Sequence, residues 1–487
     1  MVQVRAVLFI LGLILAGFAA AMAIPLAFDL DRGHRNWQAF AEAAALTLFI
    51  AGLLIGGGWR RAEPGRKLKF GAREGFLLTA VSWFAASAVG GLPFCFSELR
   101  LSFTEAFFET ASGLTTTGST VIEKLAERSK GLLLWRSMLQ GIGGIGIVVM
   151  VVALLPFLRV GGMQLFRSES SDKYEKPLPR AAEIAVATVL AYGGLILACA
   201  AAYWALGMSP FDAITHAMPT VSTGGFANYD ESFAWFKSPA LEWAATFFMA
   251  LGALPLILYV RMALGQWRDV RGDTQVAWFM AVVAAASLGI ALWLALIKGT
   301  PAADALRLAA FNVVSVVTTT GFASADYNLW GGFPGIIFIM LMFIGGCTGS
   351  TAGAMKVMRF EILGKLGVSA IRRLVHPRGV YRITYQRKAV GEDVIMSVTI
   401  FCFVYFLSFA ALTAAVAATG LDFVTSLSGA AQALGNVGPG LGEIIGPAGN
   451  YKGLSDPAKW LLAIGMILGR LEFMAVLVLF TRRFWRG

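Results

Sequence analysis

Thr115-Thr116-Thr117-Gly118-Ser119 decides the fold, because versions of it return along the chain. Val221-Ser222-Thr223-Gly224-Gly225-Phe226 is the second, and Val317-Thr318-Thr319-Thr320-Gly321-Phe322 the third. Leu434-Gly435-Asn436-Val437-Gly438-Pro439 is a degraded fourth. Self-similarity at a steady interval, here roughly 100 residues, marks a repeat architecture. The pattern predicts four copies of one unit around a shared axis, each giving one short glycine-bearing loop.

The surroundings of these stretches are apolar. Of 487 residues, 57% are hydrophobic and 14% charged, with a mean hydropathy of +0.70. Soluble domains carry about 25% charged residues, so this chain lacks the polar surface to cover itself in water. Apolar runs of about 20 residues recur, unbroken rather than alternating, which indicates membrane-spanning helices and not a β-barrel. The expected fold class is an all-α polytopic membrane protein. The net charge of +11 sits in alternate loops, as membrane orientation requires, and does not call for nucleic acid. Cys95, Cys199, Cys347 and Cys402 are far apart, without metal-ligand spacing, and His34, His216 and His376 form no local pair.

Residues 1–58 read as a transmembrane hairpin, with apolar runs at 6–28 and 36–58 and a tip at Asp29–Arg35. The first run exceeds the apolar core of about 7–15 residues found in signal peptides. A basic loop follows, with Arg60, Arg61, Arg66, Lys67, Lys69 and Arg73. Four units then share one order of span, short helix, Thr/Gly loop and return span: 76–158, 183–263, 276–359 and 393–482. The short helices are expected from Thr104 to Gly113, from Ser209-Pro210, from Asp304 to Val316, and from Asp422 to Leu434. The return spans are expected at 132–158, 240–263, 334–359 and 457–481, which makes about ten crossings at bilayer thickness. Most of the 40 Lys and Arg residues fall on one side of this topology. The positive-inside rule then puts both termini in the cytoplasm and has all four loops enter from outside.

Irregular backbone at membrane depth survives only where protein buries it or where it lines a watery cavity. Glycine frees φ and removes the side chain, so consecutive carbonyls can face one axis and replace the hydration shell of a cation. The short helices aim their negative C-terminal ends at the same place. Each begins near an acidic residue, Glu105, Asp212, Asp304 or Asp422. Capping and dipole complementation account for these; gathering cations at the mouth is the sharper alternative.

Taken together, the motifs Thr116-Thr117-Gly118-Ser119, Ser222-Thr223-Gly224-Gly225-Phe226, Thr319-Thr320-Gly321-Phe322 and Asn436-Val437-Gly438-Pro439-Gly440 resemble the Trk, Ktr and HKT potassium-transporter superfamily over residues 76 to 482. The extra hairpin resembles the TrkH/TrkG branch. The resemblance implies a pseudo-fourfold potassium pore within one subunit of the bacterial inner membrane, a homodimer, and a cytoplasmic TrkA-type regulatory ring that carries the nucleotide. The implied K+ filter is Thr116, Thr117 and Gly118; Ser222, Thr223 and Gly224; Thr319, Thr320 and Gly321; Asn436, Val437 and Gly438. Glycine at 118, 224, 321 and 438 implies potassium and rubidium over sodium, since sodium-selective relatives carry serine in the first loop. The fourth loop departs from Thr-Thr-Gly.

Two further features bear on opening. Gly345, Gly346, Cys347, Thr348, Gly349, Ser350, Thr351, Ala352, Gly353 and Ala354, followed by Lys356, interrupt the third return span. Each glycine costs a helix interior about 1 kcal/mol relative to alanine, so the helix is expected to unwind there, and the stretch resembles the family's intramembrane gate loop. Gly141, Gly143, Gly144 and Gly146 instead read as a close-packing face. Arg470 is expected mid-span in an apolar helix, where a charge marks function by default. It either staples units together or, as the resemblance implies, raises a barrier in the pore. Glu472, two positions on, cannot face it on a helix. The basic 359–392 segment suits anionic lipid or the regulatory ring. A coupled secondary transporter is the competing class, although these repeats are parallel and the spans poor in Asp and Glu. No nucleophile, paired carboxylate or metal cluster suggests an enzyme.

Overall fold

The computed structural model describes residues 3–59, 71–154, 177–266, 272–386 and 388–486. The basic segments expected at 60–70, 155–176 and 267–271 lie outside these residues, as does Arg387. The architecture is helical, and the one sheet among the described residues is a two-stranded pairing of Thr384–Tyr385 with Lys388–Ala389.

Helices α1 (Val4–Asp31) and α2 (Trp37–Trp59) form the hairpin. Its tip is fastened to the first unit: Asp29 accepts from the Gly131 amide at 2.8 Å and the Ser129 hydroxyl at 3.0 Å, and Asn36 donates to that hydroxyl at 3.0 Å. The first unit comprises α3 (Ala72–Gly90), the short α4 (Phe103–Leu114) and α5 (Lys130–Leu154). The second has α6 (Pro177–Ala205), the short α7 (Pro210–Val221), α8 (Pro239–Gly252) and α9 (Leu256–Ala263). The third has α10 (Thr274–Leu296), the short α11 (Ala302–Val317), α12 (Gly332–Leu341) and α13 (Val357–Val375). The fourth has α14 (Glu392–Ala417), the short α15 (Phe423–Gly435) and α16 (Asp456–Arg470).

Among the described residues, six helices are long and apolar enough to cross a membrane unbroken: α1, α2, α3 with its short continuation to Phe96, α6, α10 and α14. Their outward faces carry large bare apolar side chains, among them Leu190, Leu197, Leu296 and Phe403. Such faces are stable in lipid and would aggregate in water. The core lies inside, where the short helices and the return elements meet.

The return elements depart from the expected straight spans. The 240–263 span is bent by 90° between α8 and α9, because Pro255 has no amide to continue the helix. The 334–359 span is broken from Met342 to Lys356. The 457–481 span ends at Arg470, after which Glu472 and Phe473 turn with left-handed φ of 53° and 52°. Arg470 is therefore the last residue of a helix and not the middle of one. Among the described residues, α5 alone returns as one continuous helix, and its Gly143 lets it touch Leu114, whose carbonyl a methyl group would strike. Gly144 is likewise pressed against Ser222 and Tyr192, whereas none of the described residues lies against Gly146.

Candidate functional site: a ring of four loops

Each short helix is started by its own sequence. Ser102 and Ser209 cap α4 and α7 by accepting from Glu105 and Asp212 amides, and Asp422 caps α15 by accepting from Thr425 at 3.0 Å. The Thr425 hydroxyl and amide hold the Asp422 carboxyl below its usual range. Asp304 caps nothing and pairs with Arg307 at 2.9 Å. These contacts give the acidic residues structural roles at the helix starts.

All four helices end in one backbone construction. Thr116, Thr223, Thr319 and Asn436 each have left-handed φ, between 52° and 59°. The next amide folds back onto the helix: Thr117 to Ser112, Gly224 to Pro219 and Thr320 to Ser315 at 2.8 Å, and Val437 to Gln432 at 2.9 Å. The carbonyls of these four residues lie against the glycines of the neighbouring loops, and that of Gly224 also accepts from Gln140. Gly118, Gly225, Gly321 and Gly438 follow, with φ of 91°, 76°, 84° and 105°. A methyl group on Gly118 would strike the Gly224 carbonyl, one on Gly225 that of Thr320, one on Gly321 that of Val437, and one on Gly438 that of Thr117. The contacts run from the first loop to the second, third, fourth and back to the first, so the ring closes.

This register corrects one expectation. The glycine that matches Gly118, Gly321 and Gly438 is Gly225, and the second segment is Thr223-Gly224-Gly225. Ser222 matches Thr115 and Thr318 instead, and Gly224 takes the place of Thr117, Thr320 and Val437. Two adjacent glycines hid the register, because only one of them has positive φ.

The ring is braced from behind. Five positions beyond each left-handed residue, an amide donates to a side chain of the short helix: Val121 to Glu109 at 2.9 Å, Asn228 to His216 at 3.4 Å, Ser324 to Asn312 at 3.4 Å and Leu441 to Ser428 at 2.9 Å. Arg136 joins the first two units, reaching Glu109 and the Ala227 carbonyl at 2.8 Å each. Gln140, one turn along α5, donates to the Gly224 carbonyl at 2.5 Å and accepts from the Phe226 amide at 2.9 Å. Sequence reading passed over both residues, although polar side chains four apart in an apolar run were a visible signal.

A cavity of about 350 Å³ opens over one face of the ring and touches Gly118, Gly225, Gly321 and Gly438 together. Glu123, Lys124, Tyr229 and Asp230 also line it. Partial desolvation in the cavity wall pushes the Asp230 carboxyl above its ordinary range, and Glu231 adds to this against the Leu125 amide and Arg136.

The opposite face is covered by residues 342–356. The stretch closes on itself through Gly345 N–H to Met355 at 2.8 Å and Val357 N–H to Gly346 at 3.2 Å. It is seated in the α8–α9 bend, where Cys347 donates to Ala253 at 2.9 Å and Gly349 accepts from Leu256 at 3.0 Å. The Thr348 amide donates to Gln275 at 2.9 Å, Ser350 donates to Cys347 at 2.7 Å, and the Lys356 amine reaches the Ala352 carbonyl. Thr351 reaches the Val221 carbonyl at 2.9 Å, and the Gly353 amide donates to Thr319 at 2.7 Å. Gly353 also lies against Gly435 and Asn436 so closely that no side chain fits. Arg470 donates to the Thr351 carbonyl at 2.8 Å and to Gly143 at 3.4 Å. Its neighbour Glu472 pairs with Arg359.

Comparisons with known proteins find relatives over nearly the whole chain. The TrkH family of cation transport proteins matches residues 40–486. Trk system potassium uptake protein TrkI of Halomonas elongata is 45% identical over 481 residues, covering 99% of this chain and 96% of that protein. Trk system potassium uptake protein TrkH of Escherichia coli K12 is 38% identical over 490 residues, 99% of each chain. The crystal structure of the potassium transporter TrkH from Vibrio parahaemolyticus superposes with a TM-score of 0.90 at 36% identity, covering all of both chains. The chain belongs to the TrkH family of cation transport proteins.

Proposed function

We propose that this protein takes up potassium across the bacterial inner membrane through a channel-like pore whose filter is the ring of four loops. The closed ring carries the proposal. Carbonyls beside back-folded amides meet from four sides, behind them stand four helix C-termini, and a cavity opens directly above. Such an array substitutes for the water around a potassium ion. The filter is Thr116-Thr117-Gly118, Thr223-Gly224-Gly225, Thr319-Thr320-Gly321 and Asn436-Val437-Gly438, and K+ is the transported ion. Both termini are cytoplasmic, so the cavity faces outside.

The loop 345–354 is the gate. It underlies the ring and blocks the way on from it, and Arg470 holds it shut through Thr351. Movement of the basic 359–392 segment by a cytoplasmic TrkA-type ring would pull on this loop through α13, in a homodimeric assembly with the nucleotide on the ring. Passive conduction is preferred to coupled transport, because the described spans offer few carboxylates to carry a coupling proton.

Proteoliposomes of the purified protein test the reading. Rubidium and potassium flux well above sodium flux, with a reversal potential set by the potassium gradient alone, is expected. Equal sodium and potassium fluxes would remove the filter, and a reversal potential that follows the pH gradient would make the protein a coupled transporter.

A further inference from the structure

The four quarters of the ring are unequal at the glycine layer. Gly438 is the one whose carbonyl is engaged: it accepts from the Tyr451 hydroxyl at 2.7 Å and the Ser119 hydroxyl at 2.8 Å. Among the described residues, no hydrogen bond is made to the carbonyls of Gly118, Gly225 or Gly321. A carbonyl oxygen has two lone pairs, and two donors occupy both.

The surroundings hold this arrangement in place. Ser119 and Tyr451 are both buried. The Tyr451 amide donates to Thr120 at 3.0 Å and the Asn450 side chain to Ile122 at 2.9 Å, so this segment of the fourth unit is fixed along the first. The Tyr451 ring rests on Phe108, with centroids 5.5 Å apart. The Ser119 hydroxyl has one proton and faces two acceptors, Gly438 and the Gln432 side-chain oxygen at 3.2 Å. Among the described residues, the buried Gln432 NH2 has no partner. Turning that amide end for end gives the NH2 its acceptor in Ser119 and leaves the serine proton for Gly438.

We infer that Tyr451 and Ser119 are specificity-determining residues, which withdraw the Gly438 carbonyl from ion coordination and leave three carbonyls in the layer nearest the cavity. The inference rests on the filter reading above. A layer of three ligands replaces less of an ion's hydration shell than a layer of four. It discriminates less sharply between a large ion that prefers many oxygens and a small one that is content with fewer. Removing either donor returns a lone pair to the layer.

The test uses the full chain in proteoliposomes, with rubidium uptake and bi-ionic reversal potentials for the parent protein, Tyr451→Phe, Ser119→Ala and the double variant. Tyr451→Phe keeps the ring on Phe108. Each single variant is expected to raise the potassium-to-sodium permeability ratio about fivefold, the factor that one net hydrogen bond is worth, and to lower half-saturating rubidium. The double variant should exceed both. A ratio that is unchanged or falls in variants with parental melting temperature overturns the inference. If Tyr451→Phe is not recovered folded, Ser119→Ala decides alone. A parent protein without potassium preference refutes the filter reading itself, which is a different result from a selective parent with indifferent variants.

Discussion

Of the two adjacent glycines of the second loop, substituting one should cost selectivity and substituting the other should not. Gly225 sits at φ 76° with the Thr320 carbonyl directly in the way of a methyl group. Alanine there costs about 1–2 kcal/mol for the left-handed backbone alone. The overlap is with backbone, which cannot swing aside without moving the third loop. A loss of about 1–2 kcal/mol in the potassium-coordinating geometry corresponds to about 5- to 30-fold, so Gly225→Ala should lower the potassium-to-sodium permeability ratio at least fivefold. Gly224 is not left-handed, and a methyl group there meets the Gln140 amide at 2.5–2.9 Å. That side chain can retract, at a cost of about 1–3 kcal/mol for the bonds it leaves unmade, chiefly as stability. Gly224→Ala should melt earlier and remain selective. Reversal potentials under bi-ionic conditions separate the two, with melting in detergent as the second axis. A selective Gly225→Ala beside a non-selective Gly224→Ala would refute the register assigned to this loop.

Three other outcomes are expected. Arg470→Ala frees the Thr351 carbonyl, so basal rubidium flux should rise; unchanged flux with a lower melting temperature would make Arg470 a staple only. Arg136→Ala leaves Glu109 buried and unpaired, which should cost about 3–5 kcal/mol, seen as a large drop in thermal stability that Glu109→Gln in the same chain partly restores. Asp230, whose carboxyl is held above its ordinary range by partial desolvation in the cavity wall, loses its charge at a higher pH than an unperturbed aspartate. Flux measured against acidifying external pH should therefore fall before ordinary carboxylates titrate, and Asp230→Asn should flatten that part of the profile.

The units and their short helices were legible because each is written locally. Ser209-Pro210 and Asp422 announce helix starts, and the glycines at 345–353 leave no large apolar side chain to sustain a helix. The α8–α9 bend also had a local sign in Pro255, which the apolar run around it obscured. The turn after Arg470 had none, since Glu472 and Phe473 adopt left-handed φ with no glycine or proline to signal it. The register of the second loop depends on which of two glycines faces its neighbour, a fact of assembly that no single segment contains. Ser119 and Gly438 are 319 residues apart, and nothing in either segment names the other.

The closed ring has a consequence for how such a pore changes over time. In a channel built from four identical chains, every substitution in the filter lands four times, and the ion meets an all-or-nothing change. Here one codon alters one quadrant. Glu109, His216, Asn312 and Ser428 show how far the quadrants have already diverged while holding the same amide. Ion preference in this architecture can therefore be adjusted in quarter steps, with three intact quadrants keeping the path open while the fourth is tried in a new form.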